Sequence, residues 1–294
     1  MKKFFSYDPK LLIYGFLVVF FASYGQTFFI SIFNSEIRSH YNLSDGEFGL
    51  VYAIATILSA VLLIGFAKLI DHIDLRIYSL LISIGMFLSC LAMFFFIKQI
   101  FFLLLVIFSL RFFGQGAMGH AGETTMARYF GNNRGKALSV STLGGMTGVM
   151  LLPMFIIYLM KHYTLNQIWL VASFSIIIFI PIVFLLLNDQ SVRHINFKKN
   201  ISNDSTNQKW RTRDLVKQKK FYIYLPLSIA SSFISTGLMF HQIFIFNQKG
   251  WSLIMMGNGF LFLGIFSIIG LIIGGPIIDK FDTRKTVLTA LLPL

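Results

Sequence analysis

Ala67-Lys-Leu-Ile-Asp-His-Ile-Asp-Leu-Arg76 returns 208 residues further on as Gly275-Pro-Ile-Ile-Asp-Lys-Phe-Asp-Thr-Arg284. One Ile, both Asp and the Arg coincide, and apolar blocks flank both copies. Reading outward from the two loops gives eight blocks, at 11–35, 47–69, 77–97, 100–127, 136–160, 167–187, 221–246 and 253–278. A ninth begins near Thr286 and is too short to span at Leu294. Each full block has the roughly 20 residues that a helix needs to cross a ~30 Å hydrocarbon core. None alternates with period two, so a barrel is excluded and helices satisfy the backbone in lipid. The same offset carries the first block onto the seventh, which predicts two related helical sets.

Composition agrees. Hydrophobic residues make up 56% of the 294, charged residues only 13%, and mean hydropathy is +0.73. A soluble domain carries about a quarter of its residues charged. The run from Leu11 to Phe33 exceeds a signal-peptide core, and no small-residue cleavage site closes it. Cys90, the single cysteine, lies inside the third block and excludes an intramolecular disulfide.

The net charge of +13 is a matter of topology. With the N-terminus in the cytoplasm, 20 of the 25 Lys and Arg fall on the inner side. Arg38, Lys98, Lys161 and Lys249 stand singly in the outer loops, and Arg111 alone lies within a block. Every loop obeys the positive-inside rule. The basic stretch 188–220 contains Asn200-Ile-Ser-Asn-Asp-Ser-Thr-Asn-Gln208 and reads as a disordered cytoplasmic linker that contacts anionic lipid, not nucleic acid. It divides the chain into a six-helix half, 1–187, and a partial second half, 221–294. Ser44…Glu47 and Thr164…Gln167 read as capping boxes opening the second and sixth helices. The pairs Ser141/Gly145, Gly144/Gly148 and Gly270/Gly274 permit close helix approach.

The two Asp/Arg loops resemble the signature of the major facilitator superfamily, approximately G-x-L-x-D-R-x-G-R-R. The second copy matches at Gly275, Asp279, Lys280 (for Arg) and Arg284; the first matches at Asp71 and Arg76. Ala67, His72, Asp74, Asp282, Leu75 and Thr283 depart from it. Arg111-Phe-Phe-Gly-Gln115-Gly116 is similar to the family's R-x-x-x-Q-G element. Ala127 to Ala137, leading into Gly144, Gly148 and Pro153, resembles the monocarboxylate-transporter-like branch, although the aromatic-acidic first-helix signature of the animal carriers is absent. The resemblance implies an all-α transmembrane bundle working by alternating access. Members have twelve helices, which implies that the last third is missing here. It further implies that the first, fourth and seventh helices line the cavity, that Glu123 pairs with Arg76, that Asp71 docks on a later helix, and that Asp279 docks near Arg134–Lys136.

The residues suggest where a cargo would bind. A charge at helix depth costs about 2.5–3.5 kcal/mol on insertion scales and faces a polar cavity. Arg111 is open to two readings: its planar fork binds a carboxylate, or it snorkels or caps a neighbouring helix. On a helical wheel Arg111, Gln115, Met118, Gly122 and Thr125 share a face. Ser23, Thr27, Ser31 and Asn34 stripe the first helix, flanked by Tyr24 and Gln26. Ser231, Ser235 and Gln242 line one side of the seventh, and His241 is a candidate proton carrier. The expected substrate-binding set is therefore Arg111, Gln115, Gln26, Thr27, Tyr24, His241 and Gln242. The expected gating set is Asp71, Arg76, Asp279, Arg284, Glu123 and Arg134. There is no zinc set, phosphate loop or nucleophile elbow, so neither an enzyme nor a cofactor is expected. The expectation is a plasma-membrane carrier of a small organic anion, a carboxylate, by symport or antiport with protons as the candidate coupling ion. The alternatives are an exporter of cations or amphiphiles and a non-transporting fragment.

Overall fold

In the computed structural model, which describes residues 2–203, 214 and 216–280, both capping boxes form. Ser44 Oγ accepts from the Glu47 N–H while the Glu47 carboxylate accepts from the Ser44 N–H; Thr164 and Gln167 repeat the arrangement. They start α3 (Asp45–His72) and α7 (Leu165–Leu186). Between them run α4 (Leu75–Phe95), α5 (Ile100–Tyr129) and α6 (Arg134–Leu159). The first apolar block is not one straight helix. It consists of α1 (Pro9–Gly25) and α2 (Thr27–Tyr41), bent by 45°. After α7 come α8 (Gln190–Asn203), α9 (Lys219–Phe240), α10 (Gln242–Gln248) and α11 (Leu253–Lys280). The end of α9 and α10 bend by 54° about His241. Counting each bent pair as one span gives up to eight crossings among the described residues. No strand occurs among the described residues.

The outside of the bundle is as apolar as its inside, since lipid replaces water as solvent. Leu185 is 70% exposed and Phe101 is 69% exposed, apolar side chains that lipid solvates and water would not. Inside, Trp169 of α7 is fully buried against Phe29 and Phe33 of α2, with ring centroids 5.4 and 5.3 Å away. Tyr14 of α1 shares a 2.7 Å hydrogen bond with Ser79 of α4.

Close crossings of α1 hold the bundle at its centre. A Cβ placed on Gly144 of α6 would strike the carbonyl of Phe16, and one on Gly148 would strike Ser23. Gly25 of α1 and Gly114 of α5 meet backbone to backbone in the same way. Without a hydrophobic drive between helices in lipid, such van der Waals contact supplies the association.

The stretch expected to be a disordered linker begins as a helix. Arg193 of α8 forms two hydrogen bonds to Asp8, one of them 2.8 Å, and Asp8 also caps α1 through the Leu11 N–H. Gln190 donates to Tyr129 Oη at 2.8 Å. Tertiary partners supply what the polar sequence lacks in apolar periodicity.

At the end of the bundle away from α8, α2 is tied to the bend between α9 and α10. Gln242 Nε2 donates to Ser31 Oγ at 2.8 Å and to the Phe28 carbonyl at 3.2 Å; Asn34 Nδ2 donates to the Phe240 carbonyl at 3.4 Å. Each such bond contributes about 1 kcal/mol. Replacing Gln242 with Ala is therefore expected to raise maleimide labelling of an Ile243→Cys reporter, buried in the closed end, about fivefold or more. Unchanged labelling would show that these bonds do not hold this end closed.

Candidate functional site

The bend in the first span creates an acceptor that α1 cannot satisfy. Gln26 is extended (φ −81°, ψ 152°), so the Phe29 N–H turns to the Gln26 carbonyl instead of that of Gly25. The freed Gly25 carbonyl accepts from Arg111 Nη1 at 3.2 Å, and the same nitrogen donates to Thr27 Oγ1 at 3.2 Å. Tyr52 of α3 closes the group, donating to Thr27 Oγ1 at 2.9 Å with its ring 5.2 Å below the guanidinium. A broken span re-satisfied by a neighbouring helix is an arrangement that membrane interiors tolerate where a cavity is lined.

Arg111 opens a stretch of α5, Arg111–Met118, wound with the wider π pitch. Such local widening frequently marks functional positions. It carries Gly114 to α1, Gly116 towards Leu63 of α3 and Phe113 onto Gly85 of α4. Gln115 falls between the α1 and α3 contacts and is exposed, so it does not join Arg111 in the buried group. Met118, Gly122 and Thr125 of the expected stripe are buried.

The charge balance of the group is incomplete. Arg111 is 5% exposed, Nε lacks any acceptor, and no Asp or Glu pairs with it among the described residues. A buried cation without its counter-charge is costly, by several kcal/mol per ion. An anion arriving at Nε would supply both the missing acceptor and the missing charge.

Other expected binding residues lie elsewhere. Tyr24 points away, its hydroxyl 3.0 Å from Ser175 of α7, because the bend rotates it into the seam between helices. Gln26 is half-buried at the bend. Gln242 is taken up by Phe28 and Ser31. His241 is exposed at the bend beside Phe240 and lines a cavity of about 580 Å³ between α3 and α9. Tyr52 lines that cavity too. The sequence reading passed over Tyr52, since one hydroxyl inside an apolar block looks like any packed tyrosine.

At the end of the bundle that carries α8, the expected gating residues pair differently. Asp71 is bound by Arg128 of α5, which also donates to the Ile70 carbonyl at 3.1 Å. Arg76 turns from Glu123 to Asp74, with two hydrogen bonds of 3.1 Å, and donates to Ser191 of α8 at 3.2 Å. Asp74 lies two residues away and caps α4, so it captures the guanidinium first; Glu123 and Arg134 are exposed. The side chain of Asp279 and all of Arg284 lie outside the described residues.

The Arg76 hydrogen bonds hold the Asp74 carboxyl below the usual carboxylate range. A lowered pKa means that the contact is intact above the ordinary Asp value of about 4 and is lost as pH falls through the lowered one. The Asp74 carboxyl, followed by carbon-13 NMR, should therefore titrate with a midpoint below about 4. A midpoint at or above that value would show that Arg76 does not hold the carboxylate.

A Major Facilitator Superfamily profile matches residues 15–294, almost the whole chain. No curated protein and no solved structure matches it closely enough to count as a relative. With six membrane-length helices and two bent spans among the described residues, and a profile match of this extent, the chain belongs to the Major Facilitator Superfamily as a multi-pass membrane transporter.

Proposed function

We infer that the protein carries a small organic anion, a carboxylate, across the plasma membrane by alternating access, with its N-terminus in the cytoplasm. The halves 1–187 and 221–294 move against each other, with Asp71, Arg76, Asp279, Arg284, Glu123 and Arg134 as the cytoplasmic gating residues. The reading rests on the unpaired, buried Arg111 with its vacant Nε. Capping Gly25 uses Nη1 and leaves the rest of a planar fork suited to a carboxylate. No Asp or Glu is buried among the described residues, which disfavours a cationic cargo. His241 stands at the cavity lining, where protonation would couple uptake to a proton gradient. The test is uptake of radiolabelled carboxylates by proteoliposomes holding the full-length protein, with and without a proton gradient. Accumulation of carboxylates supports the reading; accumulation of cationic amphiphiles alone overturns it.

A further inference from the structure

The cavity between α3 and α9 has the wrong character for a compact, hydrophilic acid. Its volume of about 580 Å³ would hold roughly twenty waters at about 30 Å³ each, far more than a two- or three-carbon acid displaces. It falls within the ~300–1,000 Å³ of pockets that take drug-sized ligands behind mainly apolar walls with a few placed polar groups. Here the walls include the rings of Tyr52, Phe233 and Phe240, and the polar groups include the hydroxyls of Ser232 and Thr236. Two glycines leave it open: a Cβ on Gly237 would meet nothing within 4 Å, and one on Gly49 only the Phe240 ring at 3.8 Å.

Tyr52 joins this cavity to the cation. Its ring lies under Arg111 and its centroid is 4.9 Å from that of Phe240, while its hydroxyl is fixed to the Thr27 oxygen that also accepts from Arg111. We propose that the α3–α9 cavity receives the apolar body of the transported anion, with Tyr52 as the wall shared with the Arg111 site, so that the cargo is a bulky aromatic or otherwise amphipathic carboxylate. The proposal rests on the reading of Arg111 as the anion site and names the class of anion. Aromatic bodies favour such walls because offset and edge-to-face ring contacts add to their burial. Each added CH₂-sized increment of buried body is worth about fourfold in affinity.

The test is binding of 2-naphthoate, propanoate and the neutral 2-naphthylmethanol to the purified full-length protein. 2-Naphthoate should bind at least about tenfold more tightly than propanoate. Gly237→Leu, which fills the cavity, should cut that ratio to about threefold or less. Ser232→Leu narrows the same space and repeats the measurement should Gly237→Leu not fold. If the two acids bind alike, or if both substitutions leave the ratio unchanged, the cavity proposal falls. Propanoate binding that Arg111→Gln abolishes would then leave the anion reading standing. If 2-naphthylmethanol binds as tightly as 2-naphthoate and Arg111→Gln alters neither, the anion reading fails, and the proposal with it.

Discussion

Replacing Arg111 with Gln is expected to weaken carboxylate binding by about 30-fold to several thousand-fold, the equivalent of about 2–5 kcal/mol for removing one partner of a buried charge-assisted pair. The size follows from burial: Arg111 is 5% exposed, so little water competes at Nε. The same substitution strips a donor from the freed Gly25 carbonyl, an acceptor whose desertion costs about 1–3 kcal/mol of stability. Arg111→Lys separates the two effects. A lysine keeps the charge and caps the carbonyl with a point donor, but loses the planar fork. Melting temperature in detergent reports the cap, and carboxylate affinity reports the fork. If Arg111→Lys melts like the parent and binds as tightly, the fork has no part in binding. If Arg111→Gln transports normally, Arg111 serves only the bend.

Gly25→Val is expected to be the most damaging single change to folding. A Cβ at that position runs into the Leu110 carbonyl and lies 2.8 Å from the Gly114 Cα, all backbone that cannot turn aside. Overpacking costs about 1–3 kcal/mol where side chains yield, and here the helices themselves would have to part. Parting them would also carry the Gly25 carbonyl away from Arg111. Gly119→Ala in α5 is the control, because a Cβ there meets nothing within 4 Å. It should be neutral or stabilise by about 0.4–1 kcal/mol, as alanine restricts the unfolded chain. Should Gly25→Val and Gly119→Ala melt alike, the α1–α5 crossing is not tight.

The spans and their capping boxes were legible because lipid imposes a length and helix starts impose a residue order. Ser44 and Thr164 needed no tertiary information. Arg111 was legible as a buried charge; in the folded chain it caps the bend and leaves its Nε without an acceptor, a condition for the carboxylate reading and not a demonstration of it. The bend itself was hidden, since Ser23, Thr27, Ser31 and Asn34 suit a continuous helix as well as a broken one. Tyr24 and Gln242 show why polar residues in spans are hard to assign. A hydroxyl or amide facing Ser175 or Ser31 in a seam has the same sequence signature as one facing a cavity. Likewise, Asp71 meets Arg128, 57 residues away, and only the packing of α3 on α5 brings them together.

The wide pitch of Arg111–Met118 sets the phase of everything that follows it in α5. Winding the same eight residues at the ordinary pitch would turn the remainder by one helical step, about 100°. Arg128 would swing off Asp71 while Arg111 stayed under Gly25. A single extra residue in mid-membrane thus acts as a rotary spacer, keeping the charge at the core and the ion pair at the rim on their separate bearings.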